Sequence, residues 1–284
     1  MGAPNARRRA SGSHARGQHL LRSDAIAAEL VAQAEIGRDE LVLEIGAGLG
    51  RLTGPLASSA ACVIAVEIDE RLATRLARRF GTDSSVEVVT DDALQVALPN
   101  TGFRVFGNLP FGATTAILRR LLDDPRLTLT AVDVVVEWNV ARKRASPRPS
   151  NLVSLGWQPW WEFRLVRHLQ ASSFEPTPSI DAGFLSIRPR RVPLLDVEHL
   201  PSYRSMLAHA FRRTNVPVGR SLAASVPPSV VNACLRDRGV MPNARPSDLD
   251  VFDWVALFVM VQAAGAQKNS SAMPSGSRKL NPEP

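Results

Sequence analysis

Asn108-Leu109-Pro110-Phe111 brings three chemical tools to one point of this 284-residue chain. The Asn amide offers an acceptor oxygen and a donor NH2. Pro110 locks its own φ and biases Leu109 towards an extended conformation, so the backbone carbonyls here point in fixed directions. Phe111 supplies a flat face on which a planar heterocycle can stack. The same residue types also build ordinary strand-to-helix turns, so their meaning depends on what surrounds them. Upstream, Gly46-Ala47-Gly48-Leu49-Gly50 lets a ligand approach the backbone closely. Glu67 follows about 20 residues later, where an acid accepts hydrogen bonds from ribose hydroxyls. Glu44 precedes the glycines, near where the amino group of an amino-acid moiety would lie, and Asp92 can accept from an adenine amine. Each acid alone is more often a solvated strand end. Four such features at four successive strand ends point to one ligand.

Those strands follow from the apolar runs. Leu41–Ile45, Cys62–Val66, Val86–Val89 and Phe103–Phe106 read as short buried strands, each ending at one of these features. Helices are predicted from Asp24 to about Glu35 with Ser23 as N-cap, over Thr53–Ala61, from Glu70 to about Phe80, and over Thr114–Leu122. This alternation predicts an α/β fold, a parallel sheet with helices on both faces. Ala131–Val136 continues the sheet, and Trp161–Val166 with Ala182–Ile187 predict a further antiparallel pair. Ala141–Pro149 reads as a basic loop, and Phe174-Glu175-Pro176-Thr177-Pro178 as too rich in proline for regular structure. Beyond Pro193 the alternation stops, and residues to about 264 read as helices broken at Pro217, Pro227-Pro228 and Pro242. The expected organisation is a disordered basic arm over 1–16, an α/β domain over 17–191, a small helical domain over 192–265 and a disordered tail over 266–284.

Composition narrows the function classes. No apolar run reaches the roughly 20 residues of a membrane span, and the N-terminus lacks a signal peptide's apolar stretch, which predicts a cytoplasmic protein. Two cysteines, Cys62 and Cys234, exclude a disulfide framework or a cysteine-based zinc site. The five histidines show no paired metal spacing, so no metal is expected. The net charge of +7 points to a polyanionic partner. Lys143, Lys268 and Lys279 are the only lysines, and the arginine that supplies the rest suits phosphate recognition.

The glycine loop with Glu67 fits NAD, FAD or S-adenosylmethionine. Glu44 favours the last, because NAD has no amino-acid moiety. In order, Glu44-Ile45-Gly46-Ala47-Gly48-Leu49-Gly50, Glu67-Ile68-Asp69, Asp91-Asp92-Ala93-Leu94 and Asn108-Leu109-Pro110-Phe111 resemble the rRNA adenine N6-methyltransferases. That family includes the erythromycin-resistance (Erm-type) enzymes and the small-subunit rRNA dimethyladenosine transferases. The resemblance covers nearly all of residues 17–191. It takes in Gly17-Gln18-His19-Leu20-Leu21, similar to a cofactor-capping segment, and Phe174–Asp181, similar to a late Phe-x-Pro-x-Pro-x-(Val/Ile)-Asp element. His19 stands where many relatives carry Asn, and Phe111 replaces the common Tyr.

The resemblance implies a Rossmann-like, S-adenosylmethionine-dependent methyltransferase sheet with a small all-helical C-terminal domain. It implies that Asn108, Leu109, Pro110 and Phe111 act on the target adenine. S-adenosyl-L-methionine would be held by His19, Leu21, Glu44, Gly46, Gly48, Glu67, Ile68, Asp92, Ala93 and Asn108. Trp138–Ala145 and Pro159-Trp160-Trp161 look like the Erm-type enzymes of actinomycetes. This implies 23S rRNA as substrate, one adenine of the peptidyl transferase loop as target, and resistance to macrolides, lincosamides and streptogramin B; separately, a monomer is expected. RNA is expected on Arg7, Arg8, Arg9, Arg142, Lys143, Arg144, Arg148, Arg212 and Arg213, and on the Arg188–Arg191 linker. A 16S rRNA dimethyltransferase of ribosome assembly, an NAD-dependent oxidoreductase and a non-catalytic RNA-binding relative are the alternatives.

Overall fold

A computed structural model describes residues 19–149 and 151–271. The expected arm over 1–16, with Arg7, Arg8 and Arg9, lies outside the described residues, as do Gly17, Gln18 and the chain after Ser271. Two compact units form: one from the residues up to Ala145 with Trp160–Arg191, the other from Ser146–Pro159 with the residues from Val192 onward. The segment 146–159 therefore joins the second unit, although it precedes three strands of the first.

The first unit opens with β1 (Leu20–Leu21) and α1 (Asp24–Gln33), whose N-cap Ser23 accepts from the backbone N–H of Ala25. Then follow β2 (Leu41–Ile45), α2 (Thr53–Ser59), β3 (Cys62–Glu67), α3 (Glu70–Phe80) and β4 (Val86–Thr90). Asp69 caps α3 by accepting from Arg71 and Leu72 N–H, and the helix buries Ala73 and Leu76 while Arg71, Arg75, Arg78 and Arg79 stay exposed. After β5 (Phe103–Asn108) come α4 (Thr114–Leu122), β6 (Leu129–Glu137) and α5 (Trp138–Ala145). The chain leaves for the second unit through α6 (Leu152–Trp157) and returns as β7 (Trp161–Leu169), β8 (Phe174–Glu175) and β9 (Ala182–Pro189).

Seven strands make one sheet in the order β4-β3-β2-β5-β6-β9-β7. The first five are parallel; β9 runs antiparallel to both β6 and β7. The inner parallel strands β2, β5 and β6 are buried on both faces because the crossovers lay helices over each side, whereas the edge strand β4 stays partly exposed. From β2 the chain winds outward to β4, then jumps back to put β5 against β2. That reversal opens a crevice at the carboxyl ends of β2 and β5. Ala27, Leu30 and Val31 of α1, Leu56 of α2 and Leu76 of α3 share one core with Val63, Phe106, Val135 and Phe184 of the sheet.

Three expectations are corrected. The basic stretch from Ala141 is not all loop: α5 continues β6 directly and ends at Ala145, because no proline interrupts it before Pro147. Its Ala141 packs so closely on β9 that a Cβ on Gly183 would meet it at 2.6 Å. Phe174–Glu175 is regular after all. Prolines begin only at Pro176, across a cis bond, so these two residues remain free to pair antiparallel with β1. The last helix also continues past residue 265, into the expected tail, as far as Ser271.

The second unit is helical. It contains α6, α7 (Leu200–Ala210), α8 (Val218–Ser221), α9 (Pro228–Asp237) and α10 (Val251–Ser271). Tyr203 of α7 is buried, donates to the Leu155 carbonyl of α6 at 3.3 Å and meets Phe258 of α10 edge-on. Asp250 and Asp253 cap α10 reciprocally, each carboxylate accepting from the other's N–H, and Arg238 donates to Asp253 at 2.6 Å. Among the described residues no helix is long and apolar enough to cross a membrane.

Candidate active site

At the crevice of the first unit, His19, Leu20, Gly46, Glu67, Asn108, Leu109, Pro110 and Phe111 line one pocket. An adjoining depression shares Leu20, Gly46 and Asn108 with it and adds Leu21, Ala47, Leu49, Arg51 and Leu52. Gly46 and Ala47 N–H both donate to the Val66 carbonyl, which ties the glycine loop to β3. Gly46 has φ +74° and Gly48 φ +57°, a region that strains any residue with a Cβ. A Cβ on Gly48 would also stand 2.9 Å from a Leu20 methyl carbon. A backbone bared in this way suits a ligand that lies against it.

Glu67 ends β3 almost fully buried. Its carboxylate accepts from Gly48 N–H at 2.8 Å and from Asp69 N–H at 2.9 Å, so it holds both the loop and the start of α3. Asn108 ends β5, and its Nδ2 donates to the His19 carbonyl at 2.5 Å. Its Oδ1 accepts no hydrogen bond among the described residues. The Pro110 carbonyl, by contrast, already accepts from Ala113 N–H at 2.9 Å and Thr114 Oγ1 at 3.1 Å. Both its lone pairs are used, which leaves the Leu109 carbonyl as the backbone acceptor of this turn. Phe111 lies half-buried with its ring 5.6 Å from that of His19. His19 Nδ1 is 2.7 Å from the Pro176 carbonyl, so Nδ1 carries the proton and donates. The β1–β8 ladder thus joins two sequence motifs more than 150 residues apart and fixes the wall opposite Asn108.

The remaining expected ligand residues sit differently. Ile68 follows β3 with 36% exposure and Asp92 follows β4 half-buried, its Oδ1 accepting from Leu94 N–H at 2.9 Å. The Ala93 carbonyl accepts from Arg120 Nη1 at 2.6 Å, and Arg120 also donates to the Val96 carbonyl. Arg120 of α4 therefore pins the segment after β4, a role that no sequence pattern marked.

Glu44 lies beneath the loop and does not line the pocket. Its side chain is fully buried, Thr53 Oγ1 donates to Oε2 at 2.7 Å, and Oε1 has no partner. Burial, with the Glu67 charge nearby, pushes its pKa up to about 7. A carboxyl raised in the folded state contributes stability that is present below its unfolded pKa of about 4.5 and is lost as pH rises to about 7. Glu44→Gln, which cannot ionise, is therefore expected to raise the melting temperature by several degrees at pH 8 and to leave it nearly unchanged at pH 5. Equal melting shifts at both pH values would remove this assignment.

The chain matches the family model described as Ribosomal RNA adenine dimethylase over residues 11–263. The chain belongs to the ribosomal RNA adenine dimethylase family. As a dimethylase-family member it is an rRNA adenine N6-methyltransferase. It is 33% identical to the mycinamicin-resistance protein MyrB of Micromonospora griseorubida over 90% of this chain and 81% of that one. It is also 33% identical to ribosomal RNA small subunit methyltransferase A of a Synechococcus strain, over 89% and 98% of the two chains. The crystal structure of the 23S rRNA methyltransferase ErmE superposes with a TM-score of 0.77 at 30% identity, covering 86% of this chain and 99% of that one.

Within this dimethylase-family chain, the basic residues expected to meet RNA separate into different classes. Arg142 and Lys143 are exposed on α5 of the first unit; Arg148, Arg212 and Arg213 are exposed in the second. Arg144 is a correction: it is 7% exposed, directed towards Thr115, and burial lowers its pKa with Arg119 nearby. In the Arg188–Arg191 linker Arg191 is exposed, but two of its arginines are turned to other partners. Arg188 donates to the buried carboxylate of Asp133 at 2.9 Å and Arg190 to Glu162 at 2.8 Å, so these guanidiniums serve the sheet. No group of three or more His, Cys, Asp or Glu side chains suited to a metal ion occurs among the described residues.

Proposed function

We propose that the chain methylates N6 of one adenine in 23S rRNA with S-adenosyl-L-methionine, and so confers resistance to macrolides, lincosamides and streptogramin B. The observation that carries the chemistry is the pairing of two acceptors, Asn108 Oδ1 and the Leu109 carbonyl, beside the Phe111 ring. The adenine amine is a weak nucleophile because its lone pair is delocalised into the ring. Two acceptors that take its two N–H bonds favour a pyramidal nitrogen with the lone pair free. Phe111 stacks on the base once it has left its helix or loop. The methyl donor fits the bare backbone at Gly46 and Gly48, with Glu67 for its ribose, Asp92 for its adenine and the His19–Leu21 strand over it. When bound, that donor supplies a methyl group already activated by a positive sulfur. Acceleration by the chain itself then comes from positioning.

The likeness to the 23S rRNA methyltransferase ErmE supports the 23S substrate, and that to the mycinamicin-resistance protein MyrB supports the resistance. A second reading has its own support, since the small-subunit relative is as similar and is spanned almost end to end. Purified protein with methyl-labelled donor, offered protein-free 23S rRNA, 16S rRNA and small-subunit particles separately, decides between them. Label confined to 23S rRNA is the expected result. Label confined to 16S rRNA or to small-subunit particles transfers the chain to the assembly dimethyltransferases.

A further inference from the structure

A third recess, of about 320 Å³, is lined by Asp24, Leu49, Arg51, Arg75 and Arg79. It shares Leu49 and Arg51 with the depression beside the active-site pocket, which itself shares Leu20, Gly46 and Asn108 with that pocket. The three hollows of the first unit are thus neighbours, ranged from Phe111 past the glycine loop to α3.

Its far end is strongly positive. Arg75 and Arg79 lie four residues apart on α3 and so share one face of the helix. Arg79 is held in place: Nη1 donates to the Leu49 carbonyl at 2.9 Å, and the guanidinium lies 5.0 Å from the centre of the Phe80 ring. Arg51 Nη1 meets Asp24 at 2.6 Å, yet its Nε is buried without a partner. Arg75 makes no hydrogen bond or ion pair among the described residues. Three guanidiniums thus face a single carboxylate, and Asp24 is itself largely exposed. Like charges gathered in a concave wall repel one another unless an anion joins them. Planar forks converging there suit a phosphate, which takes two donors from each of several arginines.

We propose that this recess binds a backbone phosphodiester of the substrate RNA, with Asp24 holding Arg51 in place until the phosphate displaces it. The proposal rests on RNA being the substrate, though not on which rRNA it is. The recess lies beyond the depression given to the methyl donor, so it takes a phosphate of the RNA strand outside the adenine pocket, between Arg51, Arg75 and Arg79.

Two variants with opposite expected signs test it. Arg75→Gln removes a cation that makes no hydrogen bond or ion pair among the described residues, and Asp24→Asn removes the competing carboxylate. Binding of 23S and 16S rRNA fragments is measured against salt concentration, alongside methyl transfer to each. On whichever RNA the wild type methylates, Arg75→Gln is expected to bind several-fold more weakly, with a log–log salt slope shallower by about one. The loss should fall on KM for RNA. Asp24→Asn is expected to bind the same RNA more tightly, a gain that misfolding cannot produce. Methylation of 16S instead of 23S rRNA overturns the substrate reading and leaves the recess standing if both shifts appear. Unchanged slopes in both variants overturn the recess. Inorganic phosphate that binds the wild type but not Arg75→Gln, with RNA slopes unchanged, would make it a site for free phosphate instead.

Discussion

Asn108→Ala is expected to lower the rate of methyl transfer about 100- to 1000-fold, the loss typical of removing one preorganised hydrogen-bonding group from a reacting centre. The side chain does two jobs. In the proposed mechanism its Oδ1 accepts from the adenine amine, while its Nδ2 donates to the His19 carbonyl at 2.5 Å. The second job supports a strand of only two residues, held by β8 and by the bond from His19 to the Pro176 carbonyl. Loss of the acceptor should appear in kcat, and loss of the tether in a weaker Kd for S-adenosylmethionine. Asn108→Asp separates the two. It keeps an acceptor but sets a carboxylate against the His19 carbonyl, so donor binding should suffer more than in the Ala variant. Single-turnover transfer and calorimetric titration of the donor read these effects independently. An Asn108→Ala enzyme that keeps more than a tenth of the wild-type rate would show that the amide does not hold the amine.

The parallel sheet and its crevice were legible because each strand ends in residues with a local reason to be there. Glycine tolerates the positive φ that the loop at Gly46 and Gly48 requires. Pro110 stops β5 from continuing and starts α4 through its carbonyl. What stayed hidden depends on direction and register, which residue type does not encode. Arg142, Lys143 and Arg144 are neighbours in a basic run, yet once they are helical the third turns inward while the first two face solvent. Glu44 has the right type and spacing for a ligand contact, but it lies on a strand buried on both faces and points to Thr53. Leu20–Leu21 and Phe174–Glu175 are too short for any period to show and too far apart for their pairing to be read. Only the folded chain brings them together, as a separate two-stranded sheet. Arg104 was concealed in the apolar run Phe103–Phe106, and Asp133 in Ala131–Val136, because each needs the other to be buried.

That pair leads to the largest expected loss of stability. Asp133 on β6 is fully buried and accepts from Arg104 Nη1 at 2.6 Å and Arg188 Nη1 at 2.9 Å. Arg104 also grips Glu40 with two bonds, of 2.7 and 2.8 Å, and reaches the Ala34 carbonyl at 3.1 Å. Two carboxylates thus balance two guanidiniums across three adjacent strands. Asp133→Ala strips the buried counter-charge from both arginines. Removing one partner of a buried ion pair costs about 3–5 kcal/mol; with Arg104 still held by Glu40 and Arg188 partly exposed, the lower end applies, and the melting temperature should fall by roughly 10 °C. Asp133→Asn keeps an acceptor and should lie between the two. Acid titration distinguishes this account from a simple packing defect. Burial alone would raise the Glu40 pKa, but the hydrogen bonds from Arg104 and Gly37 outweigh it and hold the carboxyl below its usual value. A lowered carboxyl contributes stability above its unfolded pKa, and this is lost as pH falls through the folded value. Glu40→Gln should therefore melt below wild type at pH 7 and converge with it towards pH 3. If that gap persists undiminished at pH 3, or if Asp133→Ala melts within about 2 °C of wild type, the network does not hold the sheet by charge.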